Sequence, residues 1–203
     1  IETILSDYEE KLSKIYNIQI LKQHEVVKID RLRKTILIKS ISKDASFEKN
    51  YDKLVIATGS KPNVPKIYGT NADNFFKFID INDAMAIKSY IEKYNPKNIT
   101  IMGLNQISLN LANELIKNGF SIDIVDSFDK LLTDFDDEFN FLLGDELNKL
   151  GIKLYLGNDY LKFIKNDANL ISKIEIRKHT IETQMVIYTD RLIPDTILAK
   201  NAG

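Results

Sequence analysis

Gly103, Asn105 and Ser108 stand at the three marked positions of the spacing G-x-G-x-x-G, and Asp126 follows Gly103 by 23 positions. Residue types at that spacing can hold a pyrophosphate and a ribose. A glycine at the first position lets the chain turn sharply out of a strand. The amides that open the next helix, at the positive end of its dipole, receive an anion. A carboxylate about twenty residues further on accepts hydrogen bonds from ribose hydroxyls. Two of the three glycine positions differ here. Asn105 places a side chain where the backbone must approach the pyrophosphate. Ser108 is small and is the milder departure, at the position that lets helix and strand pack closely. Gln106 and Ile107 complete the turn and join the candidate cofactor-binding residues. A carboxylate at Asp126 repels a 2′-phosphate, so a working site prefers NAD(H) to NADP(H). Lys130 nearby weakens that preference.

The elements needed to position these residues are legible around them. The apolar run Ile99–Met102 predicts a strand that leads into Gly103, and a helical pattern follows up to Asn118-Gly119, a typical C-cap. A second apolar run, Ile122–Val125, ends on Asp126. Strand, turn, helix, strand is the layout of a dinucleotide-binding βαβ unit. Upstream, helical spacing covers 2–16, and strands are predicted at 18–22, 25–30, 34–39 and 53–57, the last as a run buried on both faces. Thr58-Gly59 turns the chain after that run. Helices are predicted at 82–94, ended by Pro96, and at 135–150, closed by Gly151. Runs at 152–156, 159–165, 171–177 and 182–188 read as strands, with an antiparallel meander and a return strand among them. The fold class is therefore α/β.

Bulk composition narrows the function. The 203 residues carry a net charge of −1, with 28% charged and 44% hydrophobic residues, as in an ordinary globular protein. There is no basic surplus for a phosphate backbone, so nucleic acid is not an expected partner. No apolar run approaches the ~20 residues of a membrane span, so no membrane partner is expected. Cysteine is absent, which excludes disulfides and thiolate chemistry from these residues. With no signal peptide visible, a cytoplasmic location is expected. His24 and His179 are far apart in sequence, and no metal site is expected. No side chain stands out as an acid, base or nucleophile, so no catalytic residue is assigned. The chain opens on Ile1 and closes just after a proline-containing turn, which suggests part of a longer polypeptide.

Four further segments, in order, carry a resemblance. YDKLVIATGSKPNVP at 51–65 resembles the Y-D-x-L-V-I-A-T-G-x-x-P stretch of the pyridine nucleotide–disulfide oxidoreductases, the two-dinucleotide flavoproteins that include NADH oxidases, coenzyme A disulfide reductases and nitrite reductase-type enzymes. FDKLLTDFDDEF at 128–139, ELNKLGIKLYLGN at 146–158 and LIPDTILAKNAG at 192–203 are similar to later family segments. The resemblance implies a Rossmann-like NAD(P)-binding domain at 81–185, inserted in a partial FAD-binding domain with a β-meander at 1–80, and a return segment at 186–203. It implies FAD as well as NAD(H), with Thr58 and Gly59 at the flavin-proximal turn. It places the FAD pyrophosphate unit, and any redox cysteine, before Ile1, and a dimerisation domain after Gly203, so a homodimer is an expected assembly. Beyond Asn105 and Ser108, this chain departs from the family at Gln106, where an aromatic is common, at Asn110, where a glutamate is usual, and at Arg191, where a glycine is usual. Two readings stay open: a fragment of an FAD-dependent NAD(P)H oxidoreductase, or a non-catalytic relative that keeps the fold to bind a nucleotide or a partner.

Overall fold

The computed structural model describes residues 11–64, 67–129, 131–132, 135–157, 161–177, 179–189 and 192–203. Two compact units form, one from residues 1–59 and 194–203 and the other from 60–193.

In the first unit, residues 11–16 are helical, and the earlier part of the expected helix lies outside the described residues. Strands β1 (His24–Asp30), β2 (Thr35–Ser40) and β3 (Ser46–Asn50) make an antiparallel meander. Asp30 Oδ1 accepts the Arg33 amide at 2.9 Å in the first hairpin turn, and Lys34 takes the left-handed φ of 49° there. β3 was not expected, because SFEKN lacks an apolar alternation and all five residues are exposed. Its register with Ile36, Leu37 and Ile38 of β2 holds it instead. Two expected strands did not form. Residues 18–22 are irregular, and the run 53–57 has no ladder partner among the described residues, leaving Val55 86% exposed. Apolar composition suits a buried strand, but a ladder needs neighbours whose amides and carbonyls face it.

The second unit is built on a five-stranded parallel sheet of β5 (Phe75–Lys77), β6 (Asn98–Met102), β7 (Ser121–Val125), β8 (Lys153–Tyr155) and β12 (Met185–Tyr188), ordered β5-β12-β6-β7-β8. Its strands alternate. Ile99, Ile101, Ile122, Ile124, Met185 and Ile187 point to one face, into a core with Ile87 of helix α1 (Ile81–Tyr94), Ala112 and Leu115 of α2 (Gln106–Lys117) and Leu147 of α3 (Asp137–Lys149). Met102, Val125, Val186 and Tyr188 point to the other face, into a second core. There they join Phe163, Ile174, Ile176 and Ile181 of a second antiparallel meander: β9 (Leu161–Lys165), β10 (Ile171–Ile176) and β11 (His179–Glu182). The run expected as one strand at 182–188 divides: Glu182 closes β11, while 185–188 become β12, the parallel strand between β5 and β6. β4 (Ser60–Pro62) and β13 (Leu192–Pro194) pair as a short ribbon, and the five-residue helix α4 (Ile197–Asn201) packs on β1.

The helices are capped as their sequences require. Asp80 and Asp83 form a reciprocal capping box on α1, and Asn95 ends that helix in the left-handed conformation before Pro96. Gly119, at φ +84°, donates to Ile116 O after α2. No helix among the described residues is long and apolar enough to cross a membrane.

Candidate functional site: the turn between β6 and α2

Residues Gly103, Asn105, Gln106, Ile107, Ser108 and Asp126 converge at the C-terminal ends of β6 and β7, where open parallel sheets bind ligands. Gly103 leaves β6 with φ +99°, a conformation that favours glycine, and donates its amide to Val125 O at 2.9 Å. Asn105 is the N-cap of α2 at φ −155° and ψ 177°, extended backbone that any residue adopts. The position therefore has no conformational need for glycine. Its side chain does something else. Asn105 Oδ1 accepts the amides of Ile107 at 2.9 Å and Ser108 at 3.0 Å. Ser108 Oγ in return accepts the Asn105 amide and donates to the Asn105 carbonyl, both at 2.8 Å. This is a capping box written with Asn and Ser.

The box is tied to the sheet. Asn105 Nδ2 donates to the carbonyl of Thr189, just past β12, at 3.0 Å. Thr189 Oγ1 donates to the carbonyls of Met102 and Gly103, at 3.1 and 3.0 Å, and the Thr189 amide donates to Met102 O at 2.9 Å. Thr189 was not anticipated, since its contacts are with residues 86 and 87 positions away.

Asp126 is only 5% exposed. Its Oδ2 accepts the Leu104 amide at 2.5 Å and its Oδ1 the Phe128 amide at 2.8 Å. The carboxylate thus joins the glycine turn to the loop after β7. The amides of Leu104, Asn105, Ile107 and Ser108 all have side-chain acceptors within the turn. A pyrophosphate at a helix N-terminus takes amides of this kind, and these four are already taken by side chains. Gln106 and Asn110 are exposed, and Lys130 lies outside the described residues.

Thr58 and Gly59 belong to the first unit. Thr58 Oγ1 donates to Asp195 O at 2.5 Å, and Gly59 O accepts the Asp195 amide at 2.9 Å. Gly59 has φ +69°, which explains a glycine there. In the same unit a groove of about 800 Å³ runs between β1, the exposed run 54–58 and α4, with Val26, Ile29, Leu54, Ile197 and Leu198 on its walls. Arg191 lies outside the described residues. No group of three or more His, Cys, Asp or Glu among the described residues could hold a metal ion.

Buried polar groups that hold the second unit together escaped the sequence reading. Asn74 is 1% exposed, accepts the Ile171 amide at 2.8 Å, and donates to the carbonyls of Ile171 at 2.7 Å and Gln184 at 3.0 Å. No spacing announces such a residue.

The model of one family, described as pyridine nucleotide-disulphide oxidoreductase, matches residues 2–203. An NADH oxidase of Methanocaldococcus jannaschii is 33% identical over 189 residues, covering 92% of this chain and 41% of the relative. The structure of reduced Bacillus anthracis CoADR-RHD superposes with a TM-score of 0.87 at 26% identity, over 96% of this chain and 34% of that one. The water-forming NADH oxidase from Lactobacillus brevis, bound to NADH, superposes with a TM-score of 0.79 at 27% identity, over 87% of this chain and 39% of that one. The chain spans about two fifths of the length of the curated relatives that it matches over the most residues.

Proposed function

This chain belongs to the pyridine nucleotide-disulphide oxidoreductase family, and from that premise we propose that it is the nicotinamide-binding part, with an adjoining part of the flavin-binding region, of an FAD-dependent NAD(P)H oxidoreductase. The observation that carries this reading is the β6–α2 turn. Gly103 at φ +99°, a helix N-terminus and a carboxylate at the end of the next strand stand together at the C-terminal edge of a parallel sheet. When bound, a nicotinamide and a flavin supply the hydride chemistry themselves. The residues of this chain bind and orient. The opening of α2 would receive the pyrophosphate. Asp126, whose carboxylate accepts two amides at the end of β7, would hold the adenosine ribose and disfavour a 2′-phosphate. That favours NADH over NADPH. Thr58 and Gly59 serve the flavin side through the tight turn they make with Asp195.

A second reading has an observation of its own. Four amides of the turn, those of Leu104, Asn105, Ile107 and Ser108, are already satisfied by Asn105, Ser108 and Asp126. That is what a relative that kept the fold and lost the nicotinamide site would show. One experiment separates the two. The complete protein is purified, its flavin absorbance is recorded, and it is titrated anaerobically with NADH and then NADPH. Bound flavin bleached by NADH, and less readily by NADPH, supports the oxidoreductase. Absence of bleaching by either coenzyme, with saturable binding of neither by calorimetry, supports the second reading.

A further inference from the structure

We propose that Asn105 is an intramolecular latch, and that a dinucleotide enters the β6–α2 turn only as Asn105 releases both α2 and Thr189. The inference rests on the oxidoreductase reading and adds a residue-level cost to it. Asn105 Oδ1 sits on the amides of Ile107 and Ser108, the donors that a pyrophosphate oxygen would take. Its Nδ2 is held by Thr189 O, and Thr189 is 8% exposed and fixed to Met102 and Gly103. The amide group is therefore clamped from both ends, by α2 and by the end of β12.

Release has a definite cost. Losing an N-cap and losing one further neutral hydrogen bond each weaken the state that needs the release by about a factor of five to ten. Together they weaken dinucleotide binding by about 30-fold relative to a turn without the latch, or about 2 kcal/mol. The latch differs from a steric plug. A plug is the Cβ itself, which alanine keeps and glycine lacks. A latch is the carboxamide, which both lack. The extended backbone at Asn105 tolerates either residue, and glycine at an N-cap costs only a few tenths of a kcal/mol of helix stability.

The test measures NADH affinity of the complete protein by calorimetry for the wild type, Asn105→Gly and Asn105→Ala. Hydrogen exchange at Ile107 and Ser108 is followed in each. The expected result is about 30-fold tighter NADH binding in both variants, with faster exchange of the two amides in the absence of NADH. Tight binding in the glycine variant, but wild-type affinity in the alanine variant, makes the obstruction a Cβ and overturns the latch. Equal affinity in all three overturns the latch and leaves the oxidoreductase reading standing. If none of the three binds NADH up to millimolar concentration, the nicotinamide reading itself fails, and the latch with it.

Discussion

Replacing Asp126 with alanine tests whether this carboxylate organises the turn. Asp126 is 5% exposed and accepts two backbone amides, Leu104 at 2.5 Å and Phe128 at 2.8 Å. Hydrogen bonds to a charged acceptor contribute about 1.5–3 kcal/mol each, and an abandoned buried donor costs about 1–3 kcal/mol. Both bonds are partly buried, so water replaces part of what each amide loses. The Leu104 amide, in the turn between β6 and α2, loses the shorter of the two bonds. Alanine also removes the cost of burying a carboxylate, which offsets part of the loss. The expected net destabilisation is about 2 kcal/mol, or a fall in Tm of roughly 4–8 °C for a chain of this size. The chain has no tryptophan, so urea unfolding is followed by far-ultraviolet circular dichroism, with hydrogen exchange at Leu104 as the local probe. A loss below about 0.5 kcal/mol, within the range of ordinary surface substitutions, with unchanged protection of Leu104, refutes the organising role. The same variant examines coenzyme choice. If the carboxylate also faces the ribose, the ratio of NADH to NADPH affinity falls, and an unaltered ratio removes that role.

Two further substitutions probe the other face of the sheet. Asp123 lies on β7 beside Lys153, and burial raises its pKa, with Lys153 partly opposing. A raised acid pKa stabilises the fold at low pH, and that contribution is lost as pH rises through the folded-state value. Asp123→Asn is therefore expected to be more stable than the wild type at pH 7, with the difference closing toward pH 3; thermal melts across that range that stay parallel refute the assignment. Thr100 Oγ1, fully buried on β6 opposite Asp123, has no hydrogen-bond partner among the described residues. Thr100→Val should raise stability by about 1 kcal/mol, since an unsatisfied buried hydroxyl is replaced by a methyl; a lower denaturation midpoint in urea would count against it.

The local features of this chain were written in the sequence because local rules govern them. The alternation of Ile99 and Ile101 with Thr100 and Met102 follows the two-residue period of a strand, and both faces of β6 are buried as the pattern implies. Asp80 marks a helix start through its side-chain carboxylate, and Pro96 and Gly119 mark helix ends through their backbone. Gly103 marks the turn for the same reason. Other outcomes depended on partners distant in sequence. The runs at 18–22 and 53–57 were apolar enough for strands, yet a strand exists only with a neighbour in register, and β3 formed from a polar run because β2 supplied one. Asn105 reads in sequence as an obstruction. Only the fold sets Thr189 beside it, and that converts an obstruction into a cap bonded at both ends. Asp126 reads in sequence as an acceptor for ribose hydroxyls, and only the fold brings the amides of Leu104 and Phe128 onto its two oxygens and buries it. The sequence determined the turn, its helix and the charge at the end of the next strand. Which donors of that turn remain open to a ligand was decided by tertiary structure, because hydrogen bonds between residues far apart in the chain depend on how its strands are ordered.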